Sequence, residues 1–383
     1  MTIASSSVGL AAGHAPAPDA AHIVPSPATL QRFLARPGEG PGNWVDYSQH
    51  PAYDELRESA TLRARAVSLL IFIKYFGVIL CKRLISYELI PGDLRKPRSL
   101  GGVLRLLTAA AGNMLRKWLP RSIGRGLPSP IEATLVAEGV CVVQIAPQHL
   151  NAVTAAAQPL FDQLRRARGS KAKGGREFDE SRGSARRAAH AHLYAAVEHM
   201  LQASGILASV SGYIGRHASL VDVNPQINDP SDDFWRRIFP DLPAAERPAS
   251  YFHRDASGGD MKAILYLSDV GPENGAFAYA AGSHHVRQGV LVDWIEETND
   301  QSACSGTGPA NRARFAALPR LLQRKCSMGN DLLHGTEITQ RLLDAEWSIT
   351  ATSGHIVLFD TKGFHRGGMV RQGERLVLTC VMG

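Results

Sequence analysis

Short segments of strand-forming residues follow one another from about residue 218 onward, and they limit most strongly the folds that this chain can adopt. Six segments are rich in β-branched or alternating apolar residues and are bounded by Gly, Pro, Asn or Asp, which is typical of strands joined by turns. They cover residues 219–224, 262–268, 276–280, 347–352, 355–359 and 375–381. Because helical segments come first and strands follow, the pattern predicts an α+β fold with a sandwich or barrel core.

The residues before this β-rich part have the pattern of helices. Apolar positions are dense at residues 61–90, and residues 103–119 form a second candidate helix with basic side chains on one side. After a linker near residues 120–130, the pattern predicts helices and one short strand. The helices are expected at 131–138, 148–166 and 188–209, and the strand at 140–144. Residues 286–346 interrupt the later strands, and we expect a helical insertion there that can act as a lid.

Composition divides the chain into three parts. Residues 1–30 are rich in Ala, Pro and Ser and lack the basic start and apolar core of a signal peptide, so we expect a flexible tail. Residues 31–127 are expected to form a basic, mostly helical N-terminal region, and residues 128–383 to form the functional domain. The five cysteines are single and widely spaced, which indicates free thiols in the reducing cytoplasm.

The longest apolar run, residues 66–80, contains Lys74 and is surrounded by basic side chains. It is shorter than the about 20 residues that cross a bilayer. We therefore expect a buried helix, with peripheral contact to an anionic membrane through residues 60–120 as the alternative. The net charge of +7 permits anionic partners, but no zinc finger, RNP-like or helix-turn-helix pattern accompanies it, so we expect no nucleic-acid partner.

His253-Arg254-Asp255 is the one His-x-Asp sequence in the chain. In an extended segment, residues two apart point to the same side, so this imidazole and carboxylate can bind one ion together. A distant second histidine completes a set of two histidines and one carboxylate, which holds Fe(II) and leaves coordination positions free. His365, just beyond the apolar segment 354–360, is the expected third ligand. His253, Asp255 and His365 are thus the predicted metal-binding and catalytic residues.

Arg375 lies ten residues after His365, at the start of the last predicted strand. Its guanidinium can hold a carboxylate through two parallel hydrogen bonds, which suits the distal end of a dicarboxylate. Arg371 is the competing candidate, and we prefer Arg375 because Arg371 belongs to the preceding turn. An ordinary salt bridge is the structural alternative for Arg375.

Other polar residues near these motifs are ambiguous. Lys262 and Tyr266 share one face of a predicted strand, where they either line the pocket or cover the outer side of a sheet. Five further histidines are expected to be structural, since those on the helix offer no i, i+4 pair for a metal. They are His284 and His285 at a turn, and His190, His192 and His199 on the predicted helix.

Two long segments of the sequence resemble the phytanoyl-CoA dioxygenase family. They read YFHRDASGGDMKAILYLSDVGPENGAFAYAAGSHH and GHIVLFDTKGFHRGGMVRQGERLVLTCVMG, and the earlier IEATLVAEGVCVVQIAPQHLNAV resembles that family's first helix and strand. The resemblance covers about residues 130–383. It implies a double-stranded β-helix, the jelly roll of cupin-like proteins, flanked by helices. It also implies Fe(II) at His253, Asp255 and His365, with O2 and 2-oxoglutarate as cosubstrates and Arg375 as the 2-oxoglutarate anchor.

The resemblance further implies a dioxygenase that releases succinate and CO2 and hydroxylates a C–H bond. The expected substrate is a small molecule or a lipid- or carrier-linked metabolite. Asp255 favours hydroxylation or desaturation over halogenation, because related halogenases have a small residue at that place. Gly367 departs from the family, whose members often carry Ser there, and Asn224 is a candidate for a secondary hydrogen bond to 2-oxoglutarate.

Two other functions remain as alternatives. The first is a catalytically inactive jelly-roll protein that serves as a scaffold, at a membrane through residues 60–120. The second is a cupin-like metal enzyme that does not use 2-oxoglutarate, against which the position of Arg375 argues.

Overall fold

The computed structural model describes residues 22–34, 53–85, 127–169, 176–177, 184–230, 252–255, 261–286, 290–299, 302, 309–323 and 337–383, with scattered residues between 99 and 111. Its helices are α1 Asp54–Glu58, α2 Leu62–Ile85, α3 Pro130–Glu138, α4 Pro147–Gly169, α5 Ser184–Ala189, α6 Ala191–Ala203, α7 Ile206–Ile214, α8 Val290–Asn299, α9 Pro309–Ala316, α10 Arg320–Gln323 and α11 Glu337–Asp344. Residues 1–21 of the expected tail, and most of the helix expected at 103–119, lie outside the described residues.

The strands are β1 His22–Val24, β2 Val140–Gln144, β3 Arg176–Glu177, β4 Leu220–Asn228, β5 Met261–Tyr266, β6 Phe277–Ala280, β7 Glu346–Ile349, β8 His355–Asp360, β9 His365–Arg366 and β10 Arg375–Met382. They pair in antiparallel ladders as a seven-stranded sheet, β1-β2-β8-β5-β10-β4-β3, and a three-stranded sheet, β7-β6-β9. The mixed content of helices and antiparallel sheets agrees with the expected α+β class. The strands that the sequence did not predict, β1, β3 and β9, have only two or three residues each.

The two sheets face each other across a buried apolar layer. Tyr266 and Phe359 of the larger sheet share this layer with Phe277 and Trp347 of the smaller one. The Tyr266 hydroxyl donates to the carbonyl of Ile349 at 3.1 Å and accepts from the N–H of Phe277 at 3.2 Å, so it ties the sheets together. The β core is therefore a sandwich, which is one of the two forms that the sequence predicted.

Helices α4, α6 and α7 cover the outer face of the larger sheet. Leu265 of β5 and Leu358 of β8 lie in one buried cluster with Leu160 of α4 and Val197 of α6. The central strands are thus buried on both faces, which explains why β8 reads as a continuous apolar run rather than an alternating one.

The single helix expected at residues 188–209 is wrong, because the chain forms α5, α6 and α7 there. His190, with φ −126°, separates α5 from α6, and Gly205, with φ +71°, separates α6 from α7. Glycine adopts this left-handed conformation at little cost, which allows the chain to turn between the two helices. The turn brings α7 against α3.

Residues 22–30 of the expected flexible tail belong to the fold. β1 pairs with β2 in an antiparallel register that sets Val24 opposite Val142. A few residues later Phe33 is buried, and its N–H donates to the carbonyl of Ala281 at 2.7 Å. The prediction of a flexible tail is therefore wrong for this stretch, whose backbone completes one edge of the larger sheet.

Helix α2 is longer than the apolar run from which we expected a buried helix. By length and composition, Leu62–Cys81 could cross a membrane, with a mean hydropathy of 1.9, and only 17% of it is buried. The preference for a buried helix is therefore wrong. One side of α2 does pack against α8 and α9, where Phe72 joins Phe315 in a small core.

Helices α8 to α11 lie at residues 286–346, where we expected the helical insertion.

Candidate metal centre

His253 and His365 are brought together by backbone pairing in the smaller sheet. The two residues form an antiparallel bridge, in which the N–H of His253 donates to the carbonyl of His365 at 2.9 Å and the reverse bond measures 3.0 Å. Their ring centroids lie 4.4 Å apart. A double hydrogen bond between directly opposed residues sets side chains on the same face of a sheet, so both imidazoles point to one place.

Asp255 completes the cluster from the same segment as His253. Its backbone N–H donates to the carbonyl of Thr361 at 3.0 Å, which fixes it beside β8. Its Oδ1 lies 3.9 Å from Nε2 of His253, and its Oδ2 lies 3.7 Å from Nε2 of His365. The donor atoms of the three residues all lie within 4.8 Å of one another, which is the separation that ligands of one metal ion have.

The protonation states of this cluster suit metal binding. The ring Nδ1 of His365 lies 3.0 Å from the carbonyl of Gly363. A hydrogen on Nδ1 would satisfy that carbonyl and leave the lone pair of Nε2 directed at the cluster. Burial and the neighbouring His253 lower the pKa of His365 to about 3. Burial alone would raise the pKa of Asp255, but His365, Lys262 and His253 lower it to about 2, so the carboxylate is ionised at neutral pH.

Lys262 of β5 contacts the cluster directly. Its Nζ lies 2.8 Å from Oδ2 of Asp255. Lys262 and Tyr266 share the inner face of β5, because the intervening residues Ala263 and Leu265 belong to the core under the helices. The sequence left open whether these two side chains line the pocket or cover the outer side of the sheet, and in the structure they lie on the pocket side. No sequence pattern indicated that Lys262 would contact Asp255, although its spacing of four residues from Tyr266 on one strand did allow an inward side chain.

Arg375 and Arg371 lie in opposite environments. Arg375 is buried at the start of β10, on the same face as Val377, which belongs to the layer between the sheets. Its Nε is buried and has no hydrogen-bond partner among the described residues. Arg371 is 65% exposed and lies 3.9 Å from a carboxylate oxygen of Glu273. A buried guanidinium with an unpaired Nε is costly, so an anionic ligand is the group that this position calls for.

Two asparagines of β4 lie on the same inner face as Arg375. Asn224 stands opposite Thr379 of β10, and Asn228 stands opposite Arg375. Asn224 Oδ1 and Asn228 Nδ2 are both buried without a hydrogen-bond partner among the described residues. Such atoms are rare in folded proteins and call for a water, an ion or another ligand as a partner. Asn224 was predicted, whereas Asn228 was missed because we expected the strand to end before Pro225.

The strand passes through Pro225 because β4 has only the two-residue β3 on its outer side. Proline is tolerated in strands at or near the edge of a sheet. With the strand continued, the period of two would have placed Asn228 on the same face as Asn224.

The remaining histidines of the described chain form no comparable cluster. Among the described residues, His253, Asp255 and His365 are the one group of three or more side chains that could hold a metal. His284 is buried, and its Nε2 lies 3.2 Å from the carbonyl of Val136.

No family model matches the chain, and no curated protein matches its sequence. Solved structures do match. AviO1 from Streptomyces viridochromogenes Tue57 is 12% identical over 66% of this chain and 93% of its own, with a TM-score of 0.36. HygX from Streptomyces hygroscopicus, with nickel and 2-oxoglutarate bound, is 15% identical over 67% and 87%, with a TM-score of 0.37. SnoK, a non-heme alpha ketoglutarate dependent carbocyclase from nogalamycin biosynthesis, is 14% identical over 67% and 84%, with a TM-score of 0.37.

These identities and TM-scores are low, so the chemistry of this chain is inferred from its own side chains. The cluster of two imidazoles and one carboxylate is consistent with an iron site. The phytanoyl-CoA dioxygenase family, which the sequence motifs resemble, stays a prediction.

Proposed function

We propose that this protein is an Fe(II)- and 2-oxoglutarate-dependent dioxygenase of the phytanoyl-CoA dioxygenase family. The observation that carries the proposal is the convergence of His253, Asp255 and His365, whose donor atoms lie within 4.8 Å of one another. Two neutral imidazoles and one carboxylate hold Fe(II) while leaving half of its coordination positions for other ligands. Bound iron would supply the activation of O2, coupled to the oxidative decarboxylation of 2-oxoglutarate to succinate and CO2.

The polar inner face of β4 and β10 supports 2-oxoglutarate as the cosubstrate. Arg375 offers a buried guanidinium, and Asn224 and Asn228 offer a buried amide oxygen and a buried amide nitrogen on the same face. In the proposed complex, Arg375 would hold the distal carboxylate and the two amides would donate to or accept from the ligand. A dicarboxylate satisfies these groups better than a neutral ligand, because it compensates the buried charge of the guanidinium.

The path of the chain supports a double-stranded β-helix as the fold. Segments alternate between the two facing sheets: β4, β5, β8 and β10 belong to the larger sheet, and the His253 bridge, β6, β7 and β9 to the smaller one. A chain that winds through two antiparallel sheets in this way forms a jelly roll with its ligands inside. The candidate metal centre lies on that inner side.

We propose hydroxylation of a C–H bond as the reaction, on a small molecule or a lipid- or carrier-linked metabolite. Asp255 supports this choice, since its carboxylate occupies the place that a halide would need. Incubation with pooled metabolites and a mass-spectrometric search for a product one oxygen atom heavier tests the reaction type. A product that has lost two hydrogens instead would contradict hydroxylation.

The enzyme class is tested by the release of succinate from 2-oxoglutarate in the presence of Fe(II). We expect turnover by the wild type, and loss of it in Asp255→Ala, because two imidazoles alone bind the ion weakly. Asp162→Ala is the matched control, since this carboxylate lies half-exposed on α4, where it pairs with Arg165 and accepts a hydrogen bond from Gln158. Succinate release that persists in Asp255→Ala would contradict the proposed metal centre.

The same succinate assay distinguishes the proposed enzyme from the alternative, a catalytically inactive scaffold. A protein that binds Fe(II) in a spectroscopic titration but releases no succinate under any condition would favour an inactive jelly roll. The ion pair between Lys262 and Asp255 is the one observation that favours it, because a lysine ammonium competes with a metal for the same oxygen.

A further inference from the structure

The positive charge of this protein is concentrated in one part of the sequence. Residues 61–127 contain thirteen Lys or Arg residues and two Asp or Glu residues, a net charge of +11, whereas the whole chain carries +7. Helix α2 opens this part and contains no acidic residue. The rest of the chain is therefore slightly acidic in sum, so attraction to an anionic partner would act most strongly on this region.

The same helix exposes an unusually apolar face. Leu62, Leu69, Leu70 and Ile73 recur at helical spacing on one side of α2 and are 86%, 36%, 66% and 56% exposed. Residues spaced three and four apart form one continuous stripe on a helix. Large contiguous apolar patches of this kind on a soluble surface mark a site of interaction.

Basic side chains border this stripe. Arg63, Arg65 and Lys74 are all exposed, and Arg65 is held at the start of the helix by hydrogen bonds to the carbonyls of Arg57 and Ala60. Long basic side chains beside an apolar face can direct their stems to apolar surroundings and their charges to anionic groups. A nucleic acid would leave the leucines exposed, so the combination favours a lipid surface with anionic headgroups.

The packing of the other side of α2 determines the orientation that this helix would have at a bilayer. Ser68, Phe72 and Ile79 are buried, and they extend over about 16 Å of the helix at ~1.5 Å per residue. This side packs along α8 and α9, which carry the charged residues Glu297 and Arg314. A helix held against polar neighbours over this length could not cross the bilayer without carrying charges into the hydrocarbon, so it would lie parallel to the surface.

We infer that α2 is a peripheral membrane anchor, which inserts the stripe of Leu62, Leu69, Leu70 and Ile73 into the surface of a bilayer that contains anionic lipids. The inference extends beyond the proposed enzymatic function and does not depend on it. Together with the proposed enzymatic function, it would bring the candidate metal centre to a membrane, where lipid or lipid-linked substrates are found.

Co-sedimentation of the full chain with vesicles tests this anchor. One set contains equal parts of phosphatidylcholine and phosphatidylserine, and the other contains phosphatidylcholine alone. We expect binding to the anionic vesicles, weakened by added salt, and little binding to the neutral ones. Leu70→Glu/Ile73→Glu should weaken binding to the anionic vesicles roughly tenfold or more, because two exposed apolar side chains no longer leave water.

Val136→Glu/Val221→Glu is the matched control, since it adds the same two charges at apolar positions that are 52% and 48% exposed elsewhere. It should bind like the wild type apart from a small loss through net charge. Leu62→Glu, at the most exposed position of the stripe, serves as a second variant should the double substitution unfold the protein.

Three results would overturn the inference. They are the absence of binding to either set of vesicles, equal weakening by the control variant, and a dimer in sedimentation velocity that Leu70→Glu/Ile73→Glu dissociates. The last would assign the stripe to a second copy of the chain. Because the readout is vesicle binding, an inactive enzyme that still binds the vesicles would contradict the proposed chemistry and leave the anchor supported.

Discussion

Arg375 and Arg371 show how strongly the surroundings of a residue determine what its side chain can do. The two arginines are four residues apart and carry the same charge. Arg375 enters the sandwich at the start of β10, and its Nε is buried without a partner among the described residues. Arg371 remains in the turn beside Glu273, largely exposed. Desolvation makes a charge-assisted hydrogen bond worth more inside the protein than at its surface, so the buried arginine is the one suited to an anionic ligand.

Replacement of Arg375 tests its proposed role. Arg375→Gln should raise the KM for 2-oxoglutarate roughly 10- to 100-fold, because a hydrogen bond to a charged group contributes about 1.5–3 kcal/mol. Iron affinity should remain unchanged, since a guanidinium donates hydrogen bonds and binds no metal. Steady-state succinate release and an iron titration measure the two quantities.

Arg371→Gln is the matched control, and its KM should stay at the wild-type value. Arg375→Lys keeps the charge without the planar fork, and we expect an intermediate KM. The proposed anchor would be wrong if Arg371→Gln raised the KM and Arg375→Gln left it unchanged.

At the scale of elements, the segment that leaves β9 passes very close to the start of β6. A Cβ atom at Gly368 would overlap the carbonyl oxygen of Ala276 and lie 2.6 Å from the carbonyl carbon of Gly275. A Cβ at the neighbouring Gly367 would meet nothing within 4 Å. The close approach keeps β9 paired with β6, and β9 carries His365, so the packing of two backbones positions a metal ligand.

Alanine at these two glycines should therefore have unequal effects. Gly368→Ala should lower the free energy of unfolding by about 1–3 kcal/mol, because the overlap is with backbone that cannot move aside. Gly367→Ala should change it by less than about 0.5 kcal/mol, as substitutions in open space do. Urea denaturation followed by circular dichroism measures both values.

Equal unfolding free energies for the two variants would show that the segment after β9 packs less tightly against β6 than the distances at Gly368 indicate. Gly367→Ser, which introduces the side chain common in the family that the sequence motifs resemble, should fold as well as Gly367→Ala, because the same open space receives it.

At the scale of the whole molecule, regions distant in sequence share one small core. Tyr53, which precedes α1, and Phe72 of α2 pack with Phe315 of α9, and the rings of Tyr53 and Phe315 lie 5.6 Å apart in an edge-to-face arrangement. The N-terminal region is thus joined to the helices between β6 and β7. This small core is separate from the layer between the sheets, which lets the two parts unfold at different free energies.

Phe72→Ala should open this small core and leave the sandwich intact. The loss of a buried phenyl ring typically costs about 3–5 kcal/mol. Hydrogen exchange measured by mass spectrometry should therefore be faster in α9, while β5 and β8 keep their protection. Ile73→Ala is the control, because its side chain is exposed and its removal should change exchange in neither part. Equal acceleration in α9, β5 and β8 would mean that the molecule opens as one cooperative unit.

Much of the β core could be predicted from local patterns. Alternation and turn residues located all six predicted segments among the observed strands, since the period of two is a property of each strand by itself. The two-residue strands β3 and β9 could not be predicted, because two residues carry no periodicity. The break between α6 and α7 at Gly205 was missed, because the apolar pattern continues across Gly205 although the helical backbone conformation ends there.

The sequence by itself determined which residues could bind a metal: His253 and Asp255 are two apart on an extended segment, and that spacing is local. It also determined the charge of residues 61–127. Only the tertiary structure decided that His365 opposes His253, that Lys262 pairs with Asp255, and that Asn228 joins Asn224 beside Arg375. It also decided that α2 is exposed. These features depend on strand pairing and on packing between distant segments, whose free energies belong to the assembled fold rather than to any stretch of the chain.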